Sequence, residues 1–421
     1  MMFQDSVWQQ ILDYSNRADP YPLYAELRKT PVVREEDGSY VVSTYREIVA
    51  LLHDPRVSSD PRNRADYAEA GDDEGAPGLP PNFIALDPPE HDRVRRLLTR
   101  HFGPPDDPDR IVRMVPDLVE IASGLIDNLA DRNQVDLVDD FSYPFPVTVI
   151  CRLLGVPRED EPRFHVWADA IVAGIDPTTG DFATRRRWRE QARAEMGRYL
   201  GELADARRDQ PGDDMLSGLV TDDGPEGRLS RDELMSNAAL LLLAGHETTV
   251  NLITNGMLTL LRHPDILQRL RRQPELAIRV VEELLRYEPP VQFLNNRAAL
   301  DDIGIAGTTI PRGAPIILVL AAGSRDPDHV SNPDRFDLDR EYLEHLGFGG
   351  GVHYCFGAPL ARPEAQIALT ELVRRLENPR LVTDPPPYRT NPVLRGPRHL
   401  PITFDRIAPA PAARGRDHRI G

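Results

Sequence analysis

The chain has 421 residues, 40% of them apolar, and carries 50 basic against 67 acidic side chains, a net charge of −17. That acidic balance argues against nucleic acid as a bulk partner, and two cysteines, Cys151 and Cys355, cannot build a disulfide framework, which fits a reducing compartment. The N-terminus has no basic stretch followed by an apolar one, as a signal peptide would, and the most apolar run, AALLLLAG at 238–245, falls well short of the roughly 20 residues that span a bilayer, so a cytoplasmic protein without a membrane partner is expected.

Along the chain, PVVREEDGSYVVST (31–44) alternates apolar and polar residues around Asp37-Gly38, a hairpin signal. A loop rich in Asp, Gly and Pro follows between 58 and 81. In LDPPEHDRVRRLLTRHFGP, Asp87 is placed to cap a helix, with Pro88 in its first turn and Glu90 at the third position. Gly103-Pro104 ends that helix. The periodicity from 107 to 208 is mostly helical, broken by loops at 155–160 and 174–181. Ser230-Arg231-Asp232-Glu233 has the S-x-x-E pattern of a capping box and opens a helix predicted to reach Arg262, just before Pro264. A further helix is predicted from Glu275 to Tyr287, short strands between 297 and 320, an irregular stretch over 323–340, and a last helix after Cys355. Residues 406–421, rich in Pro, Ala and Arg, read as a disordered tail beyond a domain of residues 1–405.

FGGGVHYCFG (348–357) places one of only two cysteines in a glycine-rich loop. The useful form of such a sulfur is the thiolate. A helix beginning just behind it directs free N–H groups and a positive dipole end at the sulfur, and the glycines allow close backbone approach. A lone cysteine is more often a buried, inert one, and Cys151, in the apolar run PVTVICRLLGVP, fits that description. The spacing Phe348-Gly349-x-Gly351-x-His353-x-Cys355-x-Gly357, followed by Leu360-Ala361-Arg362, resembles the haem-binding loop of the cytochrome P-450 superfamily. The resemblance covers nearly the whole chain, because further motifs occur in the family's order. It implies a mainly α single domain with a minor β region, haem b as cofactor, Cys355 as the axial ligand of the iron, and Phe348 packed near the sulfur. Pro363 departs from the pattern where the family carries another apolar residue; an interior proline costs about 3 kcal/mol, and a local distortion beside the haem is expected.

Ala244-Gly245-His246-Glu247-Thr248-Thr249 lies inside the long capped helix. Small residues at 244 and 245 share a face with Thr248. Close helix packing explains such a groove; so does a flat ligand lying against it. His246-Glu247 begins a H-E-x-x-H zinc motif, but position 250 is Val, so that signature fails. The resemblance implies instead that Ala244 and Gly245 face the haem, that Thr248 hydrogen-bonds dioxygen, and that Glu247 helps deliver protons through water.

Glu283 and Arg286 stand three apart on a predicted helix and match the family's structural ion pair. Its third member is Arg335 or Arg340, both in the irregular stretch. His91, Arg95, Arg297 and His353 match the family's contacts to the haem propionates. Arg93, Arg95, Arg96, Arg100 and Arg362 form a basic cluster that is either ordinary solvated arginine or a dock for an acidic ferredoxin. The family's substrate pocket maps onto residues 60–85, 164–188 and 290–296, with Phe293, Leu294, Asn295 and Asn296 as candidate walls and anchors. The resemblance thus implies a monooxygenase that hydroxylates or epoxidises a small apolar organic substrate with dioxygen. Its electrons come from NAD(P)H through a ferredoxin and ferredoxin reductase. Oxidative coupling, peroxide-driven oxidation and haem binding without turnover stand as alternatives. The near-absence of lysine, with Lys29 alone, suggests by association a bacterial, actinobacterial-like origin with a secondary-metabolite or xenobiotic substrate.

Overall fold

The computed structural model describes residues 6–70, 80–175, 181–222, 224 and 227–410. Its helices are α1 Val7–Leu12, α2 Tyr21–Leu27, α3 Tyr45–Leu52, α4 Glu90–Phe102, α5 Asp109–Asp127, α6 Pro144–Leu154, α7 Glu161–Ile175, α8 Phe182–Asp209, α9 Met215–Thr221, α10 Arg231–Arg262, α11 Pro264–Arg272, α12 Ala277–Tyr287, α13 Leu320–Gly323 and α14 Ala358–Arg375. The strands are β1 Val32–Arg34, β2 Tyr40–Val42, β3 Val57–Ser58, β4 Gln134–Asp136, β5 Leu294–Ala299, β6 Ile303–Ile305, β7 Thr308–Ile310, β8 Pro315–Leu318, β9 Leu376–Glu377, β10 Arg380–Leu381, β11 Pro401–Thr403 and β12 Arg406–Ile407. The mainly α architecture with small sheets is the one expected.

The axis of the molecule is α10. Ser230 Oγ accepts the Glu233 N–H at 3.2 Å, and the Glu233 carboxylate accepts the Ser230 N–H at 2.8 Å, so the capping box forms and fixes where the helix begins. The helix is apolar nearly all round because α6, α8 and α14 pack on different sides of it. Gly256 lets it come close to α12 and α14, since a Cβ there would press on Leu284 and Leu369 at 3.0 Å. A five-stranded sheet, in the order β1-β2-β8-β5-β3, flanks this helical body. Its β1–β2 pair is the hairpin expected around Asp37-Gly38, with Gly38 at φ +83°.

Several expectations are corrected. Asp87 does not cap α4. Residue 88 precedes a proline, which disfavours helical backbone there, so the helix starts at Glu90, and the Asp87 carboxylate instead accepts the Ser59 N–H at 2.8 Å. Pro363 causes no break, because α14 runs through it; as the sixth helical residue it forfeits only the hydrogen bond to Pro359. Ordered chain also continues past the expected boundary at 405. Arg406–Ile407 pair with Leu376–Glu377, and the Ala408 N–H reaches the Arg375 carbonyl at 2.8 Å. The rest of the expected tail, 411–421, lies outside the described residues, as does most of the 174–181 loop.

Candidate haem-thiolate site

The loop before α14 is shaped around Cys355. The Cys355 N–H donates to the Phe348 carbonyl at 3.0 Å, which folds the loop back on itself. Gly349 and Gly351 sit at φ +68° and +63°, the left-handed region. At Gly351 a Cβ would also run into the Leu52 carbonyl oxygen, so this position excludes any other residue twice over. Burial pushes the Cys355 thiol up, while the N–H groups of Gly357 and Ala358 at the start of α14 and the charges of Arg95 and Arg362 pull it down. Burial outweighs them and holds the free thiol above its ordinary value, and the same amides and guanidiniums would favour the negative charge of a sulfur bound to a metal. Cys151, by contrast, is buried in α6, and its thiol is pushed up to about 12, chiefly by burial.

Beside the sulfur opens a cavity of about 270 Å³. One wall is α10, through Ala244, Gly245, Thr248 and Thr249; the opposite wall is the Cys loop, through Phe348, Gly349, His353, Cys355 and Gly357. The Thr248 hydroxyl donates to the Ala244 carbonyl at 2.6 Å, the i−4 back-bond that a helical Thr makes. The Phe348 ring lies under the Arg362 guanidinium, whose Cζ is 4.6 Å from the ring centroid. Arg362 is fixed in turn by Glu282 at 2.7 Å.

Four cationic or imidazole groups gather at one end. Arg95 and Arg297 line the cavity with His353, and the His91 ring stands 4.4 Å from that of His353. No carboxylate forms an ion pair with Arg297 among the described residues; its guanidinium donates to the Asn296 side-chain oxygen at 2.7 Å. Burial lowers Arg297 to about 10, and burial together with Arg297, His91 and Arg95 lowers His353 to about 3. His91 Nε2 and His353 Nδ1 are buried without a hydrogen bond to protein. Asp92 takes the other His91 nitrogen, Nδ1, at 2.8 Å; the two nitrogens left over are what the carboxylates of a haem would satisfy. The thiolate cradle, the groove on α10 and this cationic end therefore fit haem.

The structure also separates candidates that the sequence left together. Glu283 and Arg286 are fully buried and paired at 2.7 Å, and the third member is Arg340, whose Nε reaches Glu283 at 2.9 Å. Arg335 is not that partner. Its side chain is 72% exposed, and it contributes its backbone carbonyl, which accepts from Arg286 at 3.0 Å and Arg340 at 2.6 Å. β5 carries a register shift between Leu294 and Arg297, and Leu294, Asn296 and Arg297 line the cavity, whereas Asn295 does not, and its carbonyl accepts from Arg64 at 2.8 Å. Phe293 is corrected as well, since it packs edge-on against Trp8 at 4.8 Å in the N-terminal core. Phe83 and Ile84 represent the 60–85 loop in the cavity wall; no described residue from 164–188 does. Of the basic cluster, Arg93 is tied to Glu233, Arg100 to Asp222 at 3.4 Å, and Arg95 turns inward to the Tyr354 carbonyl at 2.7 Å.

Two residues escaped sequence reading. Glu364 on α14 lines the cavity although its carboxyl is buried; burial pushes it well above the usual carboxylate range, and a hydrogen bond with Thr249 opposes that only in part. Arg389 pairs with Glu247 at 3.1 Å from a loop far along the chain, where no local pattern marks it. Glu247 itself is buried and is not part of the cavity wall. His246 is buried against the Tyr143 ring at 4.4 Å, consistent with the failed zinc signature.

The family model for cytochrome P450 matches residues 181–404. The cytochrome P450 monooxygenase PikC of Streptomyces venezuelae is 42% identical over 404 residues, covering 92% of this chain and 92% of its own. The 6-deoxyerythronolide B hydroxylase of Saccharopolyspora erythraea is 38% identical, covering 93% and 97%. The crystal structure of ligand-free CYP164A2 from Mycobacterium smegmatis superposes with a TM-score of 0.85 at 40% identity, covering 94% of this chain and 99% of that one. With a sulfur cradle, a groove and a cationic end arranged as that family's cofactor requires, and with relatives matching along nearly their full length, the chain belongs to the cytochrome P450 family of oxidoreductases.

Proposed function

We propose that the protein hydroxylates or epoxidises an apolar natural product of the polyketide-lactone kind. The reaction takes a substrate carbon centre, dioxygen, two electrons and two protons, and gives the oxygenated product and water. The observation that carries the reading is the half-buried Cys355 in its cradle of amides and cations, facing the Thr248 groove across one cavity. The relative named for hydroxylating 6-deoxyerythronolide B supports the substrate class. The cavity's apolar lining beyond the cofactor contacts, including Ile84, Leu240, Val291 and Leu294, supports it too.

Haem held through Cys355 supplies dioxygen activation, with the thiolate's electron donation favouring O–O cleavage. Arg95, Arg297, His91 and His353 would hold its carboxylates. The Thr248 hydrogen is committed to the Ala244 carbonyl, which leaves the hydroxyl oxygen free to accept a hydrogen bond on the cavity side. Glu247, one residue earlier and behind that wall, relays protons toward Thr248. The apolar walls keep other water from the reacting centre. Electrons come from NAD(P)H through a separate ferredoxin and ferredoxin reductase; exposed Arg96 beside Arg95 on α4 supports a docking face on the Cys side.

Carbon monoxide added to the dithionite-reduced protein tests the reading. The strongly red-shifted Soret band of thiolate-ligated haem is expected; no haem uptake, or a band at shorter wavelength, overturns the cofactor assignment. Titration with 6-deoxyerythronolide B then tests the substrate class by the shift of the resting Soret band, and a product heavier by one oxygen separates insertion from coupling.

A further inference from the structure

Glu247, Asn251 and Asn255 follow one another at four-residue spacing on α10 and so share a face. That face meets the C-terminal hairpin closed by the Tyr388–Pro397 bridge and by the Arg389 N–H donating to the Gly396 carbonyl at 3.0 Å. The two ends of the junction are joined directly: Glu247 to the Arg389 guanidinium at 3.1 Å, and the Asn255 amide to the Arg395 carbonyl at 3.0 Å. The middle is not. Asn251 is fully buried, yet neither its Nδ2 nor its Oδ1 bonds to a protein group, and the same holds for Nε and Nη2 of Arg389. Asn251 is also confined, because its Oδ1 sits where a Cβ on Gly396 would have to be.

Buried polar atoms left in this way are costly, and proteins meet them with internal water. The donor and acceptor counts suit one. Arg389 only donates, Asn251 both donates and accepts, so a water between them accepts from the guanidinium and donates to Oδ1. We propose that Asn251 and Arg389 hold buried water between α10 and the C-terminal hairpin and are positioning residues for the proton that Glu247 relays. The proposal rests on the reading of Glu247 as the relaying acid.

A crystal structure of the holoenzyme at a resolution that shows ordered solvent is the test, because it needs no variant and no turnover. Water within about 3 Å of both the Asn251 amide and the Arg389 guanidinium is expected; its absence overturns the site. In turnover with a surrogate ferredoxin and reductase and 6-deoxyerythronolide B as probe, Asn251→Leu is expected to lower kcat about tenfold. KM stays unchanged and the solvent deuterium isotope effect on kcat rises. Asn251→Asp, which still binds water, restores most of the rate. An isotope effect unchanged in Asn251→Leu overturns the positioning role and leaves the acid reading intact. Wild-type behaviour of Glu247→Gln in the same assay overturns the acid reading itself, whether or not the water is seen.

Discussion

Arg340 and Arg335 lie five residues apart in the same irregular stretch, and the structure gives them opposite roles. The Arg340 side chain is 7% exposed; its Nε meets Glu283 at 2.9 Å, and its terminal nitrogens donate to the carbonyls of Ser331 at 2.6 Å, Asn332 at 2.8 Å and Arg335 at 2.6 Å. Arg340→Ala therefore strips a fully buried carboxylate of one of its two cations and leaves three carbonyls without that donor. Removing one partner of a buried pair costs about 3–5 kcal/mol. Here Arg286 at 2.7 Å and the Asp337 N–H at 2.9 Å still hold Glu283, so the lower end, about 3 kcal/mol, is expected. Arg335→Ala removes an exposed charge whose carbonyl stays in place, and a surface change of that kind stays within about 0.5 kcal/mol. Urea unfolding followed by haem absorbance and by circular dichroism separates them. With a slope of about 3 kcal/mol per molar, Arg340→Ala lowers the midpoint by about 1 M, and Arg335→Ala leaves it within about 0.2 M. Equal midpoints for the two variants would refute the assignment of the third member.

Thr248→Ala is expected to keep haem and the thiolate spectrum but to divert electrons to hydrogen peroxide, measured as peroxide formed per NAD(P)H consumed; positioned proton transfer is typically worth about 10²- to 10⁴-fold, so product yield should fall at least tenfold. Glu364→Gln tests the buried acid. Its folded pKa lies well above the ordinary 4.5 because burial disfavours the charge. The stability it contributes is thus fully present below pH 4.5 and is lost as pH rises toward the folded value. The amide never ionises, so the variant should match wild type in melting temperature at pH 4 and exceed it at pH 8; the opposite slope would mean that Glu364 is ionised. Gly351→Ala forces a Cβ toward the Leu52 carbonyl in left-handed backbone, which alone costs about 1–2 kcal/mol. Faster loss of haem to apomyoglobin is the expected readout, and an unchanged rate would show that the loop shifts freely.

What could be read from the sequence was what lies close together along it. The Cys loop, the capping box at Ser230 and the hairpin at Asp37-Gly38 each carry their physics in a few consecutive residues, and all three form where expected. The errors fall where a distant partner decides. Asp87 looks like a cap until Ser59 claims its carboxylate. Phe293 looks like a pocket wall until Trp8, near the other end of the chain, supplies a better surface. Arg335 and Arg340 are indistinguishable by composition, and only the approach of α12 selects one. Strands of two or three residues such as β4 and β9 to β12 owe their existence to pairing across the chain, with too few residues for a period to show.

The same division explains how the cofactor site is held together. On the sulfur side, most of the groups that favour negative charge are local: two amides at the start of the following helix and Arg362 lie within seven residues of Cys355, and Arg95 of α4 alone comes from a distance. At the other end, the guanidiniums and imidazoles come from three separate places in the chain, α4, β5 and the Cys loop, and nothing local assembles them. Arg297 and Arg95 are both lowered by burial, and the His353 ring is held neutral by burial and by its cationic neighbours. Left to themselves these groups repel one another and lose hydration. A ligand bringing carboxylates to that end removes the repulsion and satisfies His91 Nε2 and His353 Nδ1 together. If haem binds as proposed, its binding free energy would add to the stability of this arrangement of α4, β5 and the Cys loop.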